Sequence, residues 1–327
     1  MVTKSNLPII IRIFSYSLLA ITFVFLINNV LTVWFDWPGV KKLFSHYGLF
    51  GFKKLSKPLE ESVLTFSFIQ LFFYFISIIL SAFYVLKSIK QTLETDAEIL
   101  TKFTAYIIRS SFWAVLIVGI ADLLVSFMVV EKLVEPILGE TLKVKLVVPA
   151  FRITFVHFPL ILISFVIGYF TRSVGFIWLA VLVVASEFFI VLSRFIFEYE
   201  QAFQGDLVRF WYSALYLFAS AYALMHEGHV RVDVLYTGFS ERKKAWTNSI
   251  GSLILGIPLC LITLFLGMGG KASIINGPVI SFEITQQGSN GLYLLYLMAV
   301  YLAVFATTML IQFTSYFMGS SYKLLNR

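Results

Sequence analysis

The sequence predicts an all-α polytopic membrane protein with about eight transmembrane helices. Three observations carry that prediction. The 327 residues are 59% hydrophobic and 13% charged, and the mean hydropathy of +0.88 lies far outside that of water-soluble domains. Uncharged runs recur that are long enough to cross a hydrocarbon layer of roughly 30 Å, which takes about 20 helical residues. Finally, the segment HEGHVRVDVLYTGFSERKK (226–244) crowds His, Arg, Asp and Lys between two uncharged stretches, 210–225 and 245–270. A segment so charged sits at a membrane face, and its Lys and Arg assign that face to the cytoplasm.

Taken in order, spans are expected at about 9–35, 62–86, 103–130, 149–171, 174–198, 207–225, 246–268 and 292–318. The first follows Lys4 and includes Arg12. Its apolar stretch is too long for a signal peptide and no small-residue cleavage site follows, so it reads as a retained helix. The second and seventh carry no charge. Between the first two spans, 40–55 is aromatic and basic, with Lys41, Lys42, Lys53 and Lys54. It is either an amphipathic interfacial helix or a sign that one of the first spans is misplaced. Pro159 and Pro258 fall inside the fourth and seventh spans, where each removes a helix hydrogen bond and kinks the helix. Asp206 is the expected N-cap of the sixth span, and a polar turn at 286–291 precedes the eighth. Both termini are expected to be cytoplasmic. Arg172, the 226–245 connector, Lys323 and Arg327 then share the inner side, and the acidic 198–206 turn lies outside.

Several function classes are excluded on composition and motif spacing. The net charge of +7 reads as positive loops against anionic membrane lipids, since no basic helix or aromatic platform suits nucleic acid. The single cysteine, Cys260, lies in an apolar span, so neither a disulfide framework nor a thiolate metal cluster is expected. His226-Glu227-Gly228-His229 has its histidines three apart, not the four of zinc hydrolases. His229 and Asp233 are separated by three residues, where the acyltransfer pair has four. Alternation of His229, Arg231 and Asp233 with Val230, Val232 and Val234 has period two. That pattern describes an extended segment with one polar face, which joins Arg242, Lys243 and Lys244 as a structural or interface loop. No phosphate-binding, dinucleotide or haem motif is present, so no enzyme, cofactor or metal is expected. No internal repeat marks two transport halves.

Charges within spans are costly unless paired or wetted. Asp122 lies in the third span, Arg152 and His157 in the fourth, Glu187 and Arg194 in the fifth. The favoured reading is internal ion pairing. Asp122 would pair with Arg152 or His157. Arg194 lies one turn from Glu198 and two turns from Glu187, and Arg209 follows at the start of the sixth span. A proton or ion path through Asp122, Arg152 and His157 is the competing reading. It is disfavoured because the charges are spread over several spans and no broken helices converge on a shared midplane.

The stretch FWYSALYLFASAYALMHEGHVRVDVLYTGFSERKKAW (210–246), followed by an apolar helix containing Gly256-Ile257-Pro258, resembles the small permease subunit (Q component) of tripartite ATP-independent periplasmic (TRAP) transporters. In that family an aromatic second helix runs into a Gly-His-Val-Arg-Val-Asp connector. Glu198, Asp206, Arg209 and Trp211 stand where members carry an acidic turn and an Arg and Trp. The resemblance covers about 174–327. It divides the chain into a four-helix Q-type domain, 173–327, and an N-terminal extension of about four spans, 1–172, beyond the usual small permease.

The resemblance implies a non-enzymatic membrane scaffold in a bacterial inner membrane. Its implied partners are a large M permease subunit, which holds the substrate and sodium sites, and a periplasmic solute-binding protein that delivers an organic acid or similar solute. Small-residue faces on the sixth span, Ser213/Ser220 and Ala219/Ala223, suit helix packing in such a scaffold. Two other classes remain: a self-sufficient ion-coupled transporter or channel using Asp122, Arg152 and His157, and a membrane enzyme using the 226–233 loop.

Overall fold

The computed structural model describes residues 6–172, 176–225, 236–285 and 290–326. Its helices in chain order are α1 (Leu7–Trp34), α2 (Gly39–Tyr47), α3 (Glu61–Lys87), α4 (Leu93–Val130), α5 (Val134–Leu138), α6 (Glu140–Leu146), α7 (Pro149–Phe170), α8 (Phe176–Phe197), α9 (Ala202–Met225), α10 (Glu241–Gly267), α11 (Asn276–Ile280) and α12 (Leu295–Leu325). Seven are long and apolar enough to cross a membrane: α1, α3, α4, α7, α8, α10 and α12. The sixth expected span is α9, a helix of 24 residues. Arg209 and its Tyr and Ser residues make it less apolar than those seven. The described residues therefore form an all-α polytopic membrane protein.

Local chemistry sets the helix ends, and it moves them beyond the apolar runs. α4 begins at Leu93, ten positions before the expected 103. Thr92 caps it there, its side chain accepting from the Thr95 N–H at 3.2 Å, with Glu94 and Asp96 in the first turn. Ser240 caps α10 in the same way, with Glu241 in the first turn. The basic 40–55 region does contain a helix, α2, which buries Leu43 against α3 and α1 and exposes Lys41 and Lys42.

Both interior prolines follow a widened helical turn. A π-helical turn, Ile153–His157, precedes Pro159 in α7, and another, Ser252–Gly256, precedes Pro258 in α10. Proline has no N–H to donate and its ring crowds the carbonyl four residues back, here Phe155 or Ile254. A wider turn relieves that crowding without ending the helix.

α4 and α12 form the axis of the bundle. α4 packs on α7, α9 and α12, while α12 also packs on α9, α10 and α1, and α1 pairs with α3. One core cluster joins Phe112, Val115 and Val118 of α4 to Leu207, Phe210, Trp211 and Phe218 of α9 and Tyr301 of α12. A second joins Leu19 of α1, Leu100 and Ile108 of α4, Cys260 of α10 and Leu310 of α12. Small residues permit the closest approaches. A Cβ on Gly168 of α7 would overlap the Ser110 backbone of α4, and one on Gly256 would fall 2.6 Å from the Phe313 ring. The expected boundary at 172/173 thus divides the sequence but not the packing, because helices from both sides share these clusters.

Candidate functional site: a buried polar cluster between α4, α7 and α12

Asp122 sits in the apolar interior of α4, fully buried. Arg152 and His157 reach it from α7. Residues five apart point to different faces of a regular α-helix. The intervening π-turn, with its longer hydrogen-bond spacing, brings these two to one side. Arg152 Nε lies 2.5 Å from Asp122 Oδ1, and Arg152 Nη2 donates to the Asp122 carbonyl at 2.6 Å and to Ser126 Oγ at 2.7 Å. The guanidinium carbon also stands 4.3 Å from the centroid of the Tyr293 ring. His157 Nε2 is 2.8 Å from Asp122 Oδ1, and its Nδ1 is 3.1 Å from the Tyr296 hydroxyl. The second carboxylate oxygen of Asp122 accepts the Tyr293 backbone N–H at 2.7 Å.

A second carboxylate works alongside it. Asp206 was expected to cap its helix, but α9 starts at Ala202, so Asp206 lies in the second turn. Its Oδ2 accepts from Thr285 Oγ1 at 2.7 Å and from the Leu292 N–H at 3.1 Å. Asp122 and Asp206, from two different helices, therefore hold the adjacent N–H groups of Leu292 and Tyr293. Those residues are non-helical and buried, and their backbone donors would otherwise lack partners. Ser126 adds a bond to the Gly291 carbonyl, and the Tyr293 hydroxyl donates to Val147 O. Chemically, the cluster neutralises a buried Arg and Asp and pins an irregular connector to the bundle.

A second buried pair joins the N-terminal helices, and sequence reasoning missed it. Arg12 of α1 lies 2.5 Å from Asp96 of α4 and donates to Ser88 O and Ser88 Oγ, both at 2.8 Å. Tyr16 OH donates to the other Asp96 oxygen at 3.1 Å. The available signal was a lone Arg inside an otherwise apolar helix. Its partner was not legible, because Asp96 lies ahead of the expected third span at 103–130.

The remaining charges behave differently. Arg194 lies 3.4 Å from Glu200, not beside Glu198. The expected one-turn pairing is corrected because α8 ends at Phe197 and Glu198 takes a positive φ of 51°. Glu187 has no ion pair or hydrogen bond among the described residues and is exposed on α8. Arg209 stands 3.6 Å from Asp206 at the start of α9. Of the connector, His229, Arg231 and Asp233 lie outside the described residues. Arg242 and Lys243 are exposed on the first turn of α10, and Lys244 pairs with Glu241 at 3.1 Å. A cavity of about 620 Å³ opens beside them, lined by Glu98, Lys102, Lys244, Asn248 and Lys323 among others. Far along the chain, Lys271 donates to Asp36 at 2.5 Å, and that contact holds the Asp36 carboxyl below its ordinary range. No metal-holding group of His, Cys, Asp and Glu occurs among the described residues.

The fold and its buried charge clusters define a multi-pass membrane protein with an interior built for packing. Residues 180–317, running from α8 into α12, match the family model described as Tripartite ATP-independent periplasmic transporters, DctQ component. That part of the chain is a TRAP-transporter small-permease domain, and further apolar helices precede it. No curated protein and no solved structure gave a match.

Proposed function

We propose that the chain is the small membrane subunit of a TRAP-type secondary transporter. In this reading it anchors and enlarges the static scaffold of a large M permease. Transport would be sodium-driven uptake of an organic acid or similar solute, delivered by a periplasmic binding protein. The observation that carries the reading is the family match over α8 to α12. Residues 173–327 supply the small-permease domain and 1–172 extend it. The chain sits in a bacterial inner membrane with both termini cytoplasmic, and the 226–245 connector lies on that side.

Asp122, Arg152 and His157 act as a brace in this reading. The alternative, a self-sufficient ion-coupled transporter using these residues, needs a carboxylate free to take and release a cation. Both Asp122 oxygens already face donors from the protein itself. Co-expression with a large permease subunit tests the proposal. The two should co-purify in detergent as a stoichiometric complex, and sodium-gradient uptake in liposomes should need both. Uptake by this polypeptide alone would overturn the scaffold reading.

A further inference from the structure

Glu187 is the twelfth residue of α8, midway along a helix that is otherwise uncharged between Phe176 and Ser193. Its side chain is exposed, and no group among the described residues pairs with it. A carboxyl facing hydrocarbon at mid-span is costly, and such groups usually face a protein interior or an aqueous cavity. The exposed neighbours on α8 are Val184, Phe188 and Val191. α8 attaches to the bundle chiefly through α9, leaving a broad apolar face open. The N-terminal helices that pack on the small-permease domain do so chiefly elsewhere, α4 on α9 and α12, and α1 on α12.

We infer that this face of α8 is the docking surface for the large permease subunit, with Glu187 received by a cation or hydrogen-bond donor on a facing transmembrane helix. The inference rests on the proposed small-permease role and deepens it. Charge complementarity selects the occupant. A second copy of this chain docked through the same face by two-fold symmetry would bring another carboxyl to Glu187, whereas a different chain is free to supply Lys, Arg, His or an amide. Arg194, two turns away, lies beside Glu200 at 3.4 Å, and Glu187 is left without an ion pair or hydrogen bond among the described residues.

Photocrosslinking in the co-expressed complex tests this. A benzophenone amino acid at Val184 or Val191 should give an adduct with the large subunit, and one at Ile79, exposed on α3, should not. Glu187→Leu should weaken retention of the large subunit roughly 3- to 20-fold, the span of interhelical polar pairs in membranes, while Glu187→Gln should lose less. If the complex forms but α8 yields no adduct, or yields adducts between two copies of this chain, the surface is wrong and the permease role stands. If no complex forms with any large permease, both readings fall.

Discussion

Asp122 accepts the backbone N–H of Tyr293 at 2.7 Å across 171 residues of sequence. The bond ties the C-terminal third of α4 to the entry of α12, and so joins the N-terminal helices to the small-permease domain. Because Arg152 and His157 converge on the same carboxylate, the join is a network, and its members should not act independently.

Arg152→Leu should therefore be severe. It leaves a buried carboxylate without its cation, a change that typically costs about 3–5 kcal/mol. Asp122→Asn should be comparably severe, since it leaves the buried Arg152 guanidinium without its counter-charge, although an amide oxygen can still accept from Tyr293. Thermal unfolding in detergent measures both. If the two variants matched the parent, Asp122 and Arg152 would not be a brace.

Arg12 and Asp96 should form a second, separable unit. Arg12→Leu should lower the unfolding temperature markedly. Arg12→Leu combined with Asp96→Leu should recover much of the loss, because removing both charges of a buried pair is far milder than removing one. Additive losses would show that each residue acts through other contacts. The double variant also removes the acceptor of Tyr16, so recovery should stop short of complete.

Gly168→Ala should destabilise the α4–α7 contact by about 1–3 kcal/mol through overpacking. Ser110→Gly should rescue it only in part, because the Ser110 Cα and N would still lie 2.8 and 2.9 Å from the added Cβ. Gly205→Ala serves as the control. Nothing lies within 4 Å of its Cβ position, and alanine should be neutral or stabilise the helix by up to about 1 kcal/mol.

The Asp36–Lys271 clip should respond to pH in a defined direction. Its carboxyl titrates below the ordinary range because Lys271 donates to it. Whatever stability it adds is present above the unfolded-state pKa and is lost as pH falls through the lower folded-state value. Both side chains are exposed, so Lys271→Ala should shift the unfolding temperature little near neutrality. That small difference should vanish at the acid end of a melting-temperature series.

Membrane sidedness can be read chemically. With the buried Cys260 replaced, Gly238→Cys should react with an impermeant thiol reagent in inverted vesicles and stay unlabelled in intact cells. Labelling in intact cells would invert the assigned orientation.

Composition and spacing determined that this chain is helical, that it crosses a membrane many times and where prolines disturb its helices, and a contiguous motif carried the resemblance of its last helices to a small permease. Those are local properties: hydropathy over about 20 residues, the missing proline N–H, and a contiguous motif. The pairing of Asp122 with Arg152 or His157 was legible too, because charges in apolar helices need partners. Only the tertiary structure decided that both residues share Asp122, since a π-turn had to bring positions five apart to one side. It alone decided that Arg12 finds Asp96, that Asp206 grips a distant connector instead of capping its own helix, and that Arg194 chooses Glu200. These contacts depend on where helices end and which neighbours they meet, and hydropathy carries neither piece of information. A cap at Thr92 or a left-handed residue at Glu198 shifts a helix end by several residues, and partners across the bundle are set by the packing of whole helices.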